Sequence, residues 1–169
     1  MKKLIFTLMI ALMLPLNNAD ARKRNVSDMT DLIEQYKGHD DFDCISVGGM
    51  LLSIAKGMMR SEAKGDNDAM AALSLLNGIK HITIADYSDC APGVKASFRN
   101  EAERLLRSFD MLMDAKSDGS RMTIYGNTGP DSDIVKGLIL YAPEDDAVIC
   151  IDCKVSMDEL GAVLSGISD

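Results

Sequence analysis

The sequence predicts an α+β fold, with an antiparallel or mixed sheet of about six strands and helices mainly on one face. Three observations carry this reading. From Met111 onward, apolar residues recur at every second position through four successive runs parted by short turns, the pattern of an antiparallel meander. Earlier, two alternating runs, Cys44 to Val47 and Ile79 to Ala85, lie between stretches whose apolar residues recur every three or four positions. The last run, Ala147 to Cys153, contains β-branched Val148, Ile149 and Ile151, which suit a pleated and buried surface.

At the N-terminus, Lys2-Lys3 precedes the apolar run Leu4 to Leu16 and the small-residue stretch Ala19-Asp20-Ala21. These are the parts of a secretory signal, so residues 1–21 are expected to be cleaved after Ala21, leaving residues 22–169 as a single α+β domain. The run has 13 residues, too few to cross the bilayer core as a helix, and no later stretch is longer. The expected product is periplasmic or secreted and not an integral membrane protein. Removing residues 1–21 takes away Lys2, Lys3 and Asp20, which moves the formal charge from −8 to −9. An acidic surface without a basic, aromatic-interleaved stripe repels phosphate, so no nucleic-acid partner is expected.

Ser27 or Asp28 can cap a first helix whose Met29, Leu32, Ile33 and Tyr36 share a face, and Gly38 ends it. The cluster His39 to Asp43 lacks the spacing of a calcium loop. In the strand that follows, Ile45 and Val47 fall on one face and Cys44 and Ser46 on the other. Gly48-Gly49 then turns into a helix with Leu51, Ile54, Ala55 and Met58 at helical spacing. The glycine pair has neither the lysine of a phosphate loop nor the third glycine of a dinucleotide fingerprint. A short helix from about Asp68 to Leu76 ends at Asn77-Gly78, and the strand Ile79 to Ala85 alternates Ile82 and Ile84 against His81, Thr83 and Ala85.

Pro92 opens the clearest helix, with Asp89 as its cap and Val94, Phe98, Ala102, Leu105 and Phe109 along one face. Arg99, Glu103 and Arg107 stand four apart and read as a solvated outer face, while Glu101 and Glu103 cannot converge as an acid pair. The meander then takes Met111 to Ala115, Arg121 to Tyr125, Val135 to Tyr141 and Ala147 to Asp152, with Gly126 to Asp133 as its long loop. Ser156 and Glu159 form a capping box for a last helix carrying Leu160, Val163, Leu164 and Ile167.

Parity sorts the strands into two faces. Ile45, Val47, Ile82, Ile84, Met122, Ile124, Leu138, Leu140, Ile149 and Ile151 make the face that helices are expected to cover. The other face carries His81, Thr123, Tyr125, Tyr141 and Asp152, and Tyr125, Tyr141, Thr123 and Asp152 form the candidate binding surface on an open sheet. Cys44 and Cys150 share that face and can form a disulfide if their strands are neighbours. Cys150 and Cys153, three apart on one strand, point to opposite faces and cannot pair or chelate while the strand is intact. The methionines sit on apolar faces as core filler, so no metal and no cofactor is expected, and no catalytic residue is assigned.

The Asp-Cys-Ile-Ser-Val strand leading into Met50-Leu51-Leu52, the Leu-Asn-Gly-Ile turn at Leu76 to Ile79 and the Arg-Met-Thr-Ile-Tyr strand at Arg121 to Tyr125 extend this reading. With Ala-Val-Ile-Cys-Ile followed by Ser-Met-Asp-Glu-Leu, they resemble exported bacterial proteins catalogued as domain of unknown function 4252, over about Met29 to Ile167. The resemblance implies an exported single domain and supplies no site residue. The functional expectation is a non-enzymatic binding or interaction module of the bacterial envelope, with an envelope protein or small ligand as partner. The alternative is a small hydrolase or thiol-dependent redox enzyme with a site near His81 and Cys150.

Overall fold

The computed structural model describes residues 25–62, 76–117, 119–128 and 133–166. The leader over residues 1–21, most of the short helix expected at Asp68 to Leu76, the centre of the Gly126 to Asp133 loop, Ile167, and the side chains of Val163 and Leu164 lie outside the described residues.

Helix α1 (Val26–Tyr36) starts two or three residues earlier than Ser27 or Asp28 would cap it, because Asn25 and Asp28 close a reciprocal capping box. Its Met29, Leu32, Ile33 and Tyr36 are buried, as their spacing predicts. Strand β1 (Asp43–Gly48) runs into helix α2 (Gly49–Glu62) through Gly49 at φ +35°, a conformation open to glycine at little cost. Strand β2 (Ile79–Asp86) leads to α3 (Pro92–Leu106), which begins on Pro92 without a side-chain cap from Asp89. The meander follows as β3 (Asp110–Ser117), β4 (Ser120–Thr128), β5 (Ile134–Ala142) and β6 (Ala147–Cys153). A short β7 (Val155–Ser156) precedes α4 (Met157–Gly166), whose start is held by the Ser156 and Glu159 capping box.

The strands form one sheet in the order β1-β2-β6-β5-β4-β3, antiparallel throughout, with β7 paired to β5. The fold is α+β, as the two periodicities predict. Helices α1 and α3 lie on one face and bury Phe98, Ala102, Ile33 and Met29 against Ala85, Ile139, Val148 and Cys150. Leu160 of α4 packs with Leu138, Ile124, Cys153 and Val155 in a second cluster.

This arrangement corrects the face assignment. The face carrying Tyr141, Thr123, Thr83 and Cys150, expected to be open, is the one that α1 and α3 cover, and these four side chains are buried. The face expected to be covered, here termed the isoleucine face, is closed only around Ile124 and Leu138, where Leu160 of α4 packs, and leaves Ile45, Ile84 and Met122 exposed. The physical reason is space: Thr83, Ala85 and Cys150 are small and admit bulky helix side chains such as Phe98 and Met29 above them. Strand β5 also departs from strict alternation. Val135 and Leu138 join the same cluster although they stand three apart, and Gly137 at φ +90° accommodates the break where Val26 of α1 leaves no room for a Cβ.

Helix α2 is turned differently from its apolar stripe. Leu52 is buried, and Lys56, one turn on, donates from Nζ to the Ile79 carbonyl at 2.9 Å, so this line faces the sheet. Leu51, Ile54 and Met58, expected to pack inward, are exposed.

Candidate functional site

Each candidate residue can now be placed. Tyr141 and Thr123 are buried, and Thr123 donates from its hydroxyl to Asp114 Oδ1 at 3.1 Å. Tyr125 is half-buried at the margin of the first cluster, and Asp152 is exposed. The four therefore form no open binding surface. Cys44 and Cys150 are both free, because β2 lies between their strands. Two strand spacings make roughly 10 Å, too far for a disulfide. Cys150 and Cys153 belong to opposite clusters on an unbroken β6, as strand geometry requires.

His81 and Asp152 are direct cross-strand partners on β2 and β6. With Asn25, Ser27, Thr30 and Asp31 at the start of α1 they line an open cleft of about 220 Å³. The imidazole lies over Gly48, where a Cβ would collide with its Nδ1. Cys150 does not line this cleft; it is buried beneath α1, and burial pushes its thiol up to about 12. Burial raises the Cys44, Cys90 and Cys153 thiols as well, so none of the four is poised as a thiolate nucleophile at neutral pH. Among the described residues no group of three or more His, Cys, Asp or Glu side chains is placed to hold a metal ion.

A charged cluster that sequence reasoning missed ties the β5–β6 turn to α3. Asp146 adopts φ +53° and its carboxylate is held by Lys95 Nζ at 3.0 Å and by the Arg99 guanidinium. Arg99 thus faces inward instead of forming a solvated outer surface, and its hydrogen bond to Asp146 raises its pKa. The Tyr87 and Tyr141 hydroxyls are buried beside it, and desolvation raises both phenols. The available signal was the i,i+4 spacing of Lys95 and Arg99 on one face of α3. The arrangement is suited to fixing a turn, with both cations committed to one carboxylate.

The largest unassigned chemistry is apolar. Residues Cys44 to Ala55 contain no charged side chain in a chain that is 26% charged. Within them Ile45 is 61% and Leu51 60% exposed, and Met58, 65% exposed, extends the α2 stripe. Helix α2 packs against β1 and β2, so the exposed stripe belongs to the same end of the sheet as the β1 edge. Large apolar side chains grouped in this way mark an interaction surface more often than single exposed ones do.

The family model for domain of unknown function 4252 matches residues 36–161. The chain belongs to this family. The 4252 domain takes in β1, α2, the Asp146 cluster and the whole sheet, whereas Asn25 to Asp31, which form one wall of the His81 cleft, precede the matched residues. No curated protein and no solved structure matches the chain. The uncharged surface thus lies wholly within the 4252 domain, and the cleft only in part.

Proposed function

We propose that this chain is a non-enzymatic interaction module, exported to the bacterial envelope after cleavage behind Ala21, that binds a protein partner through the surface formed by β1 and α2. The observation that carries the reading is the uncharged run Cys44 to Ala55 with Ile45, Leu51 and Ile54 turned outward. Exposing such side chains has a free-energy cost of roughly 25 cal/mol per Å² of apolar area, which a partner would recover by covering them. A soluble chain with no use for the surface would be expected to carry charges there, as it does elsewhere. The rival enzyme near His81 and Cys150 has less support, since burial holds the Cys150 thiol protonated and outside the cleft.

Site-specific photo-crosslinking in intact cells tests this. A benzophenone amino acid in place of Ile54 should give a discrete protein adduct, and the same group in place of exposed Lys116 on β3 should not. Equal labelling from both positions, or none from position 54, would overturn the reading. N-terminal sequencing of the same material should begin at Arg22; an intact leader would refute export with cleavage.

A further inference from the structure

We propose that the protein partner is a second copy of this chain, with β1 pairing antiparallel to its counterpart about a two-fold axis at Ser46. This rests on the interaction reading above and names its partner. The sheet has two edges, and they are built differently. Edge strand β3 carries Asp110, Asp114 and Lys116, pairs Asp114 with Arg121, and shifts register between Met111 and Met113. Charges and bulges of this kind blunt an edge against further pairing. Edge strand β1 has neither device beyond Asp43 at its first residue: its register with β2 is unbroken, and Ile45 is exposed. Among the described residues β1 pairs with β2 alone, so its outer row of backbone N–H and C=O groups is a template for one more strand.

Symmetry selects the register. A two-fold axis perpendicular to the sheet joins like faces only when it is centred on a residue, because neighbouring residues point to opposite sides. Centred on Ser46, Ile45 stands opposite Val47 of the second copy, and Val47 opposite Ile45, giving β-branched pairs on the isoleucine face. Asp43 then falls opposite Gly49, outside the strand. Centring on Ile45 would set Asp43 against Val47, and centring on Val47 would waste Ile45 on Gly49, where the chain turns at φ +35°.

Charge also favours this surface over the rest of the molecule. Two mature copies at formal charge −9 repel in the mean, and Cys44 to Ala55 is a place where they can meet without opposing like charges. The exposed Leu51, Ile54 and Met58 of each α2 stand at the same end of the sheet and are available to extend the contact beyond the strands.

Sedimentation velocity on the mature chain beginning at Arg22, over the micromolar range and at two ionic strengths, decides the matter. The unaltered chain should be a dimer that dissociates on dilution. Ile45→Lys should weaken it by about 100-fold or more, since each lysine stands opposite Val47 of the second copy in place of an apolar partner and brings the two added charges into diagonal reach of each other. Ile54→Glu, on an exposed helix position, should weaken it independently of any effect on β1, and Met111→Lys on the opposite edge should leave it unchanged. A chain that stays monomeric throughout, or a dimer indifferent to both Ile45→Lys and Ile54→Glu, overturns the proposal. A monomeric chain that still gives a foreign adduct from position 54 overturns the second copy and leaves the interaction reading standing; no adduct of either kind overturns both.

Discussion

On the face beneath α1 and α3, Thr83, Ala85 and Val148 are sealed from solvent, whereas on the isoleucine face Ile45 and Ile84, larger and more apolar, remain exposed. Strand β2 contributes to both, with Thr83 and Ala85 on one side and Ile84 between them on the other. The contrast teaches that a sheet face is buried by what fits upon it. The small residues leave depth for an aromatic group in which Phe98 meets Tyr36 edge-on at 5.2 Å and Phe42 edge-on at 5.3 Å, with the Tyr87 ring tilted against it at 4.7 Å. Isoleucines at every position would fill that depth and lift the helices away.

The largest effect that can test this contrast lies at the centre of the aromatic group. Phe98→Ala removes a side chain with no exposure and contacts to three rings, and should cost about 3–5 kcal/mol in denaturant unfolding. A cost below about 1 kcal/mol would mean that α3 does not seal this face and would erase the distinction.

An intermediate effect follows from Cys150, which packs under α1 on the same face. Its folded pKa, about 12, lies above the ordinary value of 9.0, so the folded state holds the proton longer than the unfolded one. The stabilisation is fully present below pH 9.0 and is lost as pH rises toward about 12, at up to about 1.4 kcal/mol per pH unit for this one group. Urea midpoints should therefore fall above pH 9, more steeply for the native chain than for Cys150→Val, and a thiol reagent at pH 8 should leave Cys150 unlabelled until the chain unfolds. Rapid labelling of Cys150 in the folded chain would show the covered face to be open.

Much of the scaffold was legible in the sequence, and the two sites of error share a cause. Strand and helix positions follow from periods of two and of three to four, which act locally, so β1 to β6, α1, α3 and the Ser156 box appear where their patterns put them. Which face is buried is a tertiary question. Ranking by hydrophobicity favours Ile45, Ile82, Ile84 and Ile149 over Thr83, Ala85 and Cys150, and so misses that α1 and α3 cover the latter while the isoleucine face closes only around Ile124 and Leu138. The same ranking turned α2 inward along Leu51, Ile54 and Met58, where Leu52 and the Lys56 bond to Ile79 set its orientation. A usable signal was present in the aromatics: Phe42 and Tyr87 flank strands in loops, and Tyr36, Phe98 and Phe109 belong to helices or their ends. Side chains of that size gather in one place, and the face with small residues is the one able to receive them.

The smallest expected effect is the one most able to break the comparison. Ile84 stands between Ile45 on β1 and Ile149 on β6 and is 37% exposed. Ile84→Thr keeps the β-branched shape that suits a strand and removes apolar surface already in partial contact with water, so it should cost at most about 1 kcal/mol in the monomer. Ile45→Thr should cost less still, because its side chain is more exposed. Thermal unfolding at low protein concentration measures both. Costs near those of Phe98→Ala would mean that the second core around Ile124, Leu138 and Leu160 extends across β2 and β1, and the argument for a surface left open for association would fail. Small costs that grow with protein concentration would instead reveal the stability contributed by a partner that binds only the folded chain, and with it the mass-action signature of association through this side of the sheet.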